Sequence, residues 1–430
     1  MRYLSTRDPH ISSGFHDALI HGLAPDGGLY IPETFPLFSP DTIQHTSADT
    51  LSKLGLRIMS SFITEVPIES LESILKKSLS FPIPLMHLDE NIYLLEVFHG
   101  PTLAFKDVGA RFMAGMLSYF LTRENKKINI IVATSGDTGS AIANAFHLMP
   151  NIDVYILYPS KKITFLQEQQ MTTLGGNVHA IEVTGTFDDC QRLVKAALLD
   201  NDIRSQRLLT TANSINVGRL LPQIIYHAHG LCQLRKLQPD AEPTLIVPSG
   251  NFGNLTSAVY AQIMGFPIRH FVAATNINAV VPHYLTTGIF KPQPSIHSYS
   301  NAMDVGNPSN FERLNACYQN DYQRMAQDID GVSISDAQTL QEIRDTYTKT
   351  GYILDPHTAV GVASARIWRN DFNTPLVVTA TAHPAKFPEV IQQAIGIEPE
   401  IPDRLKAALN NKKKAVLIPP LLDVFKEMLI

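Results

Sequence analysis

The sequence predicts an α/β protein of open, mostly parallel sheets flanked by helices, preceded by an N-terminal subdomain. Three observations predict it. From residue 127 onward, short apolar runs alternate with segments of helical period. The runs are continuous rather than polar-apolar, which is how strands covered on both faces read. The first ninety or so residues lack that rhythm. The runs are "INIIVAT" (128–134), "VYILY" (154–158), "TLIVPS" (244–249), "HFVAATN" (270–276) and "PLVVTAT" (375–381). Helical spacing is predicted over 140–148, 187–199, 217–229, 255–264 and 359–369. Ahead of these, "GLAPDGGLYIP" (22–32) is turn chemistry followed by helical patches. The stretch 286–310 is rich in Pro, Ser and Asn without a period, as lids and binding loops often are. The "NNKKK" run near Lys412 reads as a solvated face.

The 430 residues are 44% hydrophobic and 17% charged, the composition of an ordinary globular chain of two or three domains. A net charge of -5, from 35 Lys and Arg against 40 Asp and Glu, offers no electrostatic footprint for nucleic acid or an anionic membrane. Cys190, Cys232 and Cys317 are far apart and show no zinc spacing, which predicts no metal and a reducing compartment. No apolar run is long enough to span a bilayer, and the expected location is the cytoplasm.

Two strand-to-helix junctions stand out. In "INIIVATSGDTGSAIANAF", a buried strand enters Thr134-Ser135-Gly136-Asp137-Thr138-Gly139 and then a helix. The unpaired N–H groups of a helix start favour an anion, glycine lets it approach, and the Ser135 and Thr138 hydroxyls add donors. The same residues read equally well as a simple helix cap. The device recurs in "TLIVPSGNFGNLTSAVY", at Gly250, Asn251, Phe252, Gly253 and Asn254. Neither junction matches the P-loop or the dinucleotide fingerprint, so two phosphoryl groups outside a nucleotide are expected. A third cluster, "TTANSINVGRLLPQ", sets Asn213, Ser214, Asn216 and Arg219 around a helix start, where arginine suits bidentate capture of phosphate or carboxylate, although the spacing alone favours an N-cap with one surface salt bridge.

"HGPTLAFKDVGARF" (99–112) places Lys106 between an apolar run and Asp107, which is expected to cap the following helix. At that positive helix end, beside Leu103 and Phe105, dipole and burial both disfavour the ammonium. They lower its pKa, as an imine-forming amine requires. A lysine of that kind near two phosphate cradles points to pyridoxal phosphate (PLP), with the second cradle left for a phosphorylated substrate.

With these residues in view, the chain resembles the threonine synthase family of fold type II PLP enzymes, whose architecture is like that of the tryptophan synthase β subunit. The likeness runs from "STRD" (5–8) through "FHGPTLAFKD", "ATSGDTGSA", "NSINVGRLLPQ", "VPSGNFGNL", "SNAMDVGNPSN" and "DPHTAVG" to "TAHPAKFPE" at Thr381. The resemblance implies that Lys106 holds PLP as a Schiff base. It implies that Gly250, Asn251, Phe252, Gly253 and Asn254 bind the cofactor phosphate, that Thr381 faces the pyridine nitrogen, and that Asp137 lies near O3'. Ser135, Thr138, Asn213, Ser214, Asn216 and Arg219 would grip the substrate. The implied reaction is that of a carbon-oxygen lyase acting on phosphates: O-phospho-L-homoserine and water give L-threonine and phosphate, the last step of threonine biosynthesis. The expected units are 1–92, an N-terminal subdomain; 93–230, with the lysine and the substrate-phosphate site; and 231–430, with the cofactor-phosphate loop. A monomer or weak homodimer is expected. A related PLP enzyme that stops at a ketoacid shares most of these motifs, and a non-catalytic phosphometabolite binder is the reading from another class.

Overall fold

The apolar runs become strands of two parallel sheets in the computed structural model, which describes residues 1–368, 374–409 and 411–430, without the side chains of 407 and 408. Fourteen strands form among the described residues: β1 (Tyr3–Ser5), β2 (Ser12–Ser13), β3 (Tyr30–Pro32), β4 (Leu85–Asp89), β5 (Ile92–Glu96), β6 (Ile128–Ala133), β7 (Ile152–Pro159), β8 (Val178–Val183), β9 (Leu209–Thr211), β10 (Thr244–Pro248), β11 (His270–Thr275), β12 (Ile329–Ser333), β13 (Leu376–Ala380) and β14 (Ala415–Ile418). One sheet runs β14-β8-β7-β6-β9 and is parallel throughout. The other runs β12-β11-β10-β13-β5-β4, parallel except for the β4 edge. A small antiparallel sheet, β2-β1-β3, forms in the N-terminal region.

Every residue of β5, β6, β10 and β13 is buried, so the central strands are covered on both faces as their continuous runs predict. Sheet membership does not follow chain order. β4 and β5 join strands from 244–380, and β14 returns to lie beside β8.

The predicted helices form with adjusted ends. The segment at 217–229 is two helices, Val217–Leu220 and Gln223–Leu237, because Pro222 between them supplies no N–H to a continuous ladder. The helix expected over 359–369 begins earlier, in Pro356–Trp368, and Arg369 lies outside the described residues, as does Asn410 of the basic run. Lys413 of that run is not merely solvated; it pairs with Glu168 and Glu182 at 2.6 and 2.7 Å. The stretch 286–310 carries, beyond the end of one helix, a single short 3-10 turn, Asn301–Met303. Among the described residues, no helix is long and apolar enough to cross a membrane.

Candidate active site

Parallel strands end together, and here the ends of β6, β10 and β13 open onto one cavity of about 800 Å³, its mouth included. The loop after β5 leads to Lys106. It runs beside the loop after β13, with Ala104 bridged to Ala382 and the Phe105 N–H donating to the Thr381 carbonyl at 2.8 Å. Leu103 takes a left-handed backbone (φ 59°), an uncommon conformation for a branched residue, and the chain then enters the helix Lys106–Glu124.

Lys106 is thus the first residue of that helix, and Asp107 is inside its first turn rather than its cap. The Asp107 carboxylate turns back and accepts from the Thr102 N–H at 2.8 Å and the Thr102 hydroxyl at 2.7 Å. Lys106 lines the cavity. Among the described residues its amine has no hydrogen bond or ion pair, and it lies 5.3 Å from the centre of the Phe105 ring. Burial pushes its pKa down to about 8; the Asp137 carboxylate opposes the fall, and the Lys386 and Arg219 cations add to it.

The glycine-rich turn after β10 is held from all sides. Phe252 is left-handed (φ 61°) and buried, immediately ahead of the helix Gly253–Ile263. Asn254 Nδ2 donates to the Pro248 carbonyl at 2.7 Å, while its Oδ1 accepts the Leu255 N–H at 3.0 Å. Asn251 donates to Ser214 Oγ at 3.1 Å and accepts the Ser309 N–H at 2.5 Å. A Cβ on Gly250 would lie 2.7 Å from Met303 Cα, so only glycine fits beneath that backbone. Gly253 and Asn254, the first two residues of that helix, line the cavity, and a helix start leaves their N–H groups without an intrahelical carbonyl.

The turn after β6 is built by Thr134, whose hydroxyl accepts the N–H groups of Gly136 at 2.9 Å and Gly139 at 2.8 Å. Gly136 sits at φ 133°, where a side chain is strained. Ser135 and Thr138 line the cavity, and neither hydroxyl has a hydrogen-bond partner among the described residues. Asp137 is buried against Gln167 and Lys386 at 3.0 and 2.6 Å. Burial would raise its pKa, but Lys386, then Lys106, hold it well below the usual carboxylate range.

Of the residues expected from the sequence, Lys106, Ser135, Asp137, Thr138, Asn213, Ser214, Arg219, Gly250, Asn251, Phe252, Gly253, Asn254 and Thr381 all line this cavity. Asn216 does not. It is buried as the cap of Val217–Leu220, accepting the Gly218 N–H at 2.9 Å and donating to Leu19 O at 2.8 Å and Thr211 O at 3.1 Å. Asn213 pairs with both backbone groups of Ala133, which aligns the two polar segments. Arg219 donates to the Ala212 carbonyl, and its buried Nε has no partner among the described residues. The Thr381 hydroxyl likewise has none and borders the cavity.

Sequence reasoning missed His357 and Lys386. His357 lines the cavity, with Nδ1 2.9 Å from Asp355 Oδ1 and Nε2 accepting the Ala302 N–H at 3.2 Å. That pattern fixes the neutral tautomer with the proton on Nδ1. The i, i+2 spacing of Asp355 and His357 was the available signal. For Lys386 it was a lone lysine inside an apolar stretch.

The donor set fits PLP. A half-buried lysine amine lacks a protein partner, one helix start is held on all sides and glycine-lined, and a hydroxyl follows β13. The unpartnered Arg219 Nε and the free hydroxyls of the second turn add room for a second anion.

Three family models tile the chain: threonine synthase N terminus over residues 2–79, pyridoxal-phosphate dependent enzyme over 79–381, and threonine synthase C-terminal over 358–428. The chain is 40% identical to threonine synthase of Haemophilus influenzae and 38% identical to that of Escherichia coli, each over 94% of both chains. The crystal structure of the E. coli enzyme superposes with a TM-score of 0.94 at 35% identity, covering 100% of this chain and 99% of that one. PLP-bound threonine synthase from Brucella melitensis superposes at 0.92 with 34% identity, covering 100% and 98%. A tomato threonine deaminase, 17% identical at a TM-score of 0.56, shares the fold over 85% of this chain and 94% of its own. The chain belongs to the threonine synthase family of fold type II, PLP-dependent enzymes.

Proposed function

We infer that this cavity converts O-phospho-L-homoserine and water to L-threonine and phosphate with PLP as cofactor. The observation that carries the reading is the Lys106 amine, left without a protein partner between two helix-start turns. PLP, when bound, supplies the aldehyde for that amine and a sink for negative charge at the substrate Cα. Gly250, Asn251, Phe252, Gly253 and Asn254 would hold its phosphate, Thr381 would meet its ring nitrogen, and Asp137 would serve its ring oxygen.

The rest is performed by this chain's side chains. With a pKa near 8, Lys106 is neutral in a useful fraction of molecules near neutral pH. It takes the proton from the substrate Cα and returns it at the end. Ser135, Thr138 and the N–H groups of the helix start Asp137–Phe146 hold the substrate phosphate as charge builds on its leaving oxygen, and Arg219 neutralises it. Asn213 and Ser214 position the substrate between the turns. In the net change the Cγ–O bond to phosphate breaks and a C–H bond forms at Cγ, while at Cβ a C–H bond breaks and the hydroxyl of water bonds in its place; the remaining proton of water leaves with phosphate.

Lys106→Ala is expected to fold, to lose the borohydride-reducible visible chromophore, and to lose turnover. A variant with near-normal activity overturns the assignment. Assaying threonine and 2-oxobutyrate together decides between synthase and ketoacid-forming chemistry. The division into 1–92, 93–230 and 231–430 is best drawn discontinuously, which the exchange of β4, β5 and β14 between regions supports. Three free thiols support a reducing compartment such as the cytoplasm. A monomer or weak homodimer, testable by light scattering, needs no second chain to furnish the residues named above.

A further inference from the structure

Two carboxylates lie near the Lys106 amine, and neither is bound to it. Asp107, its neighbour in the chain, is fully buried and given over to Thr102. Asp137 Oδ1 receives Gln167 Nε2 at 3.0 Å and Lys386 Nζ at 2.6 Å. Lys386 is 0% exposed. Its other contact is the Thr102 carbonyl at 3.0 Å, so one loop residue anchors both Lys386 and Asp107. A buried ammonium is costly and persists only when paired and hydrogen-bonded, conditions met here.

The charged groups facing Lys106 are therefore Asp137 at the start of Asp137–Phe146, Arg219 in Val217–Leu220, and Lys386 in the 3-10 turn Pro384–Lys386. His357, in Pro356–Trp368, faces Asp137. Asp137 is the one anion among those facing Lys106, and its strongest partner is Lys386 rather than Lys106.

We propose that Lys386 is a positioning residue of this site: it holds the Asp137 carboxylate by Oδ1 and so prevents that carboxylate from capturing the Lys106 amine. Two lysines share one anion, and the pairing decides which of them is free to react. Lys386, held by Asp137 and the Thr102 carbonyl, is the committed cation. Lys106 is the available amine, and like-charge repulsion from Lys386 reinforces its neutral form. This inference rests on the reading of Lys106 as the amine that meets the cofactor aldehyde.

The test uses the full chain freed of cofactor, mixed with pyridoxal phosphate across about pH 6 to 10, with the visible absorbance followed in time. The rate reports the neutral fraction of the lysine. Lys386→Met should move the midpoint of this pH profile upward by about one unit, slowing chromophore formation near neutral pH about tenfold. Lys386→Met combined with Asp137→Asn should return the midpoint to within about half a pH unit of the wild type, whatever the absolute rate, because the capturing carboxylate is gone. A structural role alone predicts no such return.

Should Lys386→Met fail to fold, Lys386→Gln keeps a donor for Asp137 and Thr102 while leaving the carboxylate charge unbalanced. It should show the same direction of shift, reversed by Asp137→Asn. An unchanged midpoint in the single variant, or no return in the double, overturns the proposal. Lys106→Ala run in parallel separates the two readings. If it still forms the lysine-type chromophore, the assignment of Lys106 has failed; if it does not and the Lys386 variants keep the wild-type midpoint, only the role of Lys386 has failed.

Discussion

The two helix-start turns of the cavity use one physical device in opposite ways. In the turn after β10, Asn251 and Asn254 are bound at both ends of their amides, Phe252 is buried, and Gly250 lies under the Met303 backbone. In the turn after β6, Thr134 and Ser140 hold the backbone, and the Ser135 and Thr138 hydroxyls have no protein partner among the described residues. A turn whose side chains are already committed presents fixed backbone donors, which suits a resident group. A turn with uncommitted hydroxyls must trade solvent for ligand in each cycle, which suits an anion that arrives and leaves.

The comparison breaks first at Gly250. A Cβ there would meet Met303 Cα at 2.7 Å and the Ala302 carbonyl oxygen at 3.0 Å, so the turn must move as backbone. Gly250→Ala is expected to weaken PLP binding by about a hundredfold or more, measured by equilibrium titration, since several donors are misplaced together. If affinity holds while the substrate KM rises instead, the roles of the two turns are exchanged. Ser135→Ala tests the open turn: KM for the phosphorylated substrate should rise about tenfold, the value of one hydrogen bond to a charged group, with PLP affinity unchanged.

The amine between the turns gives a stability prediction. The folded pKa of Lys106 is about 8, below its ordinary 10.5, so the unfolded chain binds the extra proton between those values. Stability of the cofactor-free protein should therefore rise with pH across that window. Lys106→Met should remove this slope and stabilise the cofactor-free protein at pH 7 by about 3 kcal/mol, read from denaturant unfolding. The smallest functional effect belongs to Asn216, which caps the helix carrying Arg219 without lining the cavity. Asn216→Ala should cost about 1–2 kcal/mol as a lost cap and leave KM unchanged.

What could be read in the chain beforehand was whatever local pattern encodes. Buried parallel strands announce themselves as unbroken apolar runs, and strand-Gly-helix junctions as phosphate cradles, so β6, β10, β13 and their turns were legible. Pairing between distant segments leaves no such trace. Nothing in "IYLLE" says that it lies between β4 and β13, or in "AVLI" that it returns to β8. Asn216 looked like Asn213 in composition, and only the direction of its amide separates a cap from a cavity wall. Asp107 looked like a cap because Asp before an apolar helical segment usually is one. The helix starts two residues earlier than that cap implies, and the carboxylate serves the preceding loop instead. Lys386 and His357 escaped notice because their importance lies in partners far along the chain.

The pairing of β5 with β13 has a consequence for how this enzyme comes into being. Lys106 follows β5 and Thr381 follows β13, so the two walls of the cavity are joined by a ladder between strands from near opposite ends of the chain. During synthesis the reactive amine emerges early and waits, without its opposite wall, until nearly all of the polypeptide has left the ribosome. Contacts of such separation also form late and slowly in folding. Cofactor capture is therefore an end-stage event, and a chain truncated before β13 should acquire none.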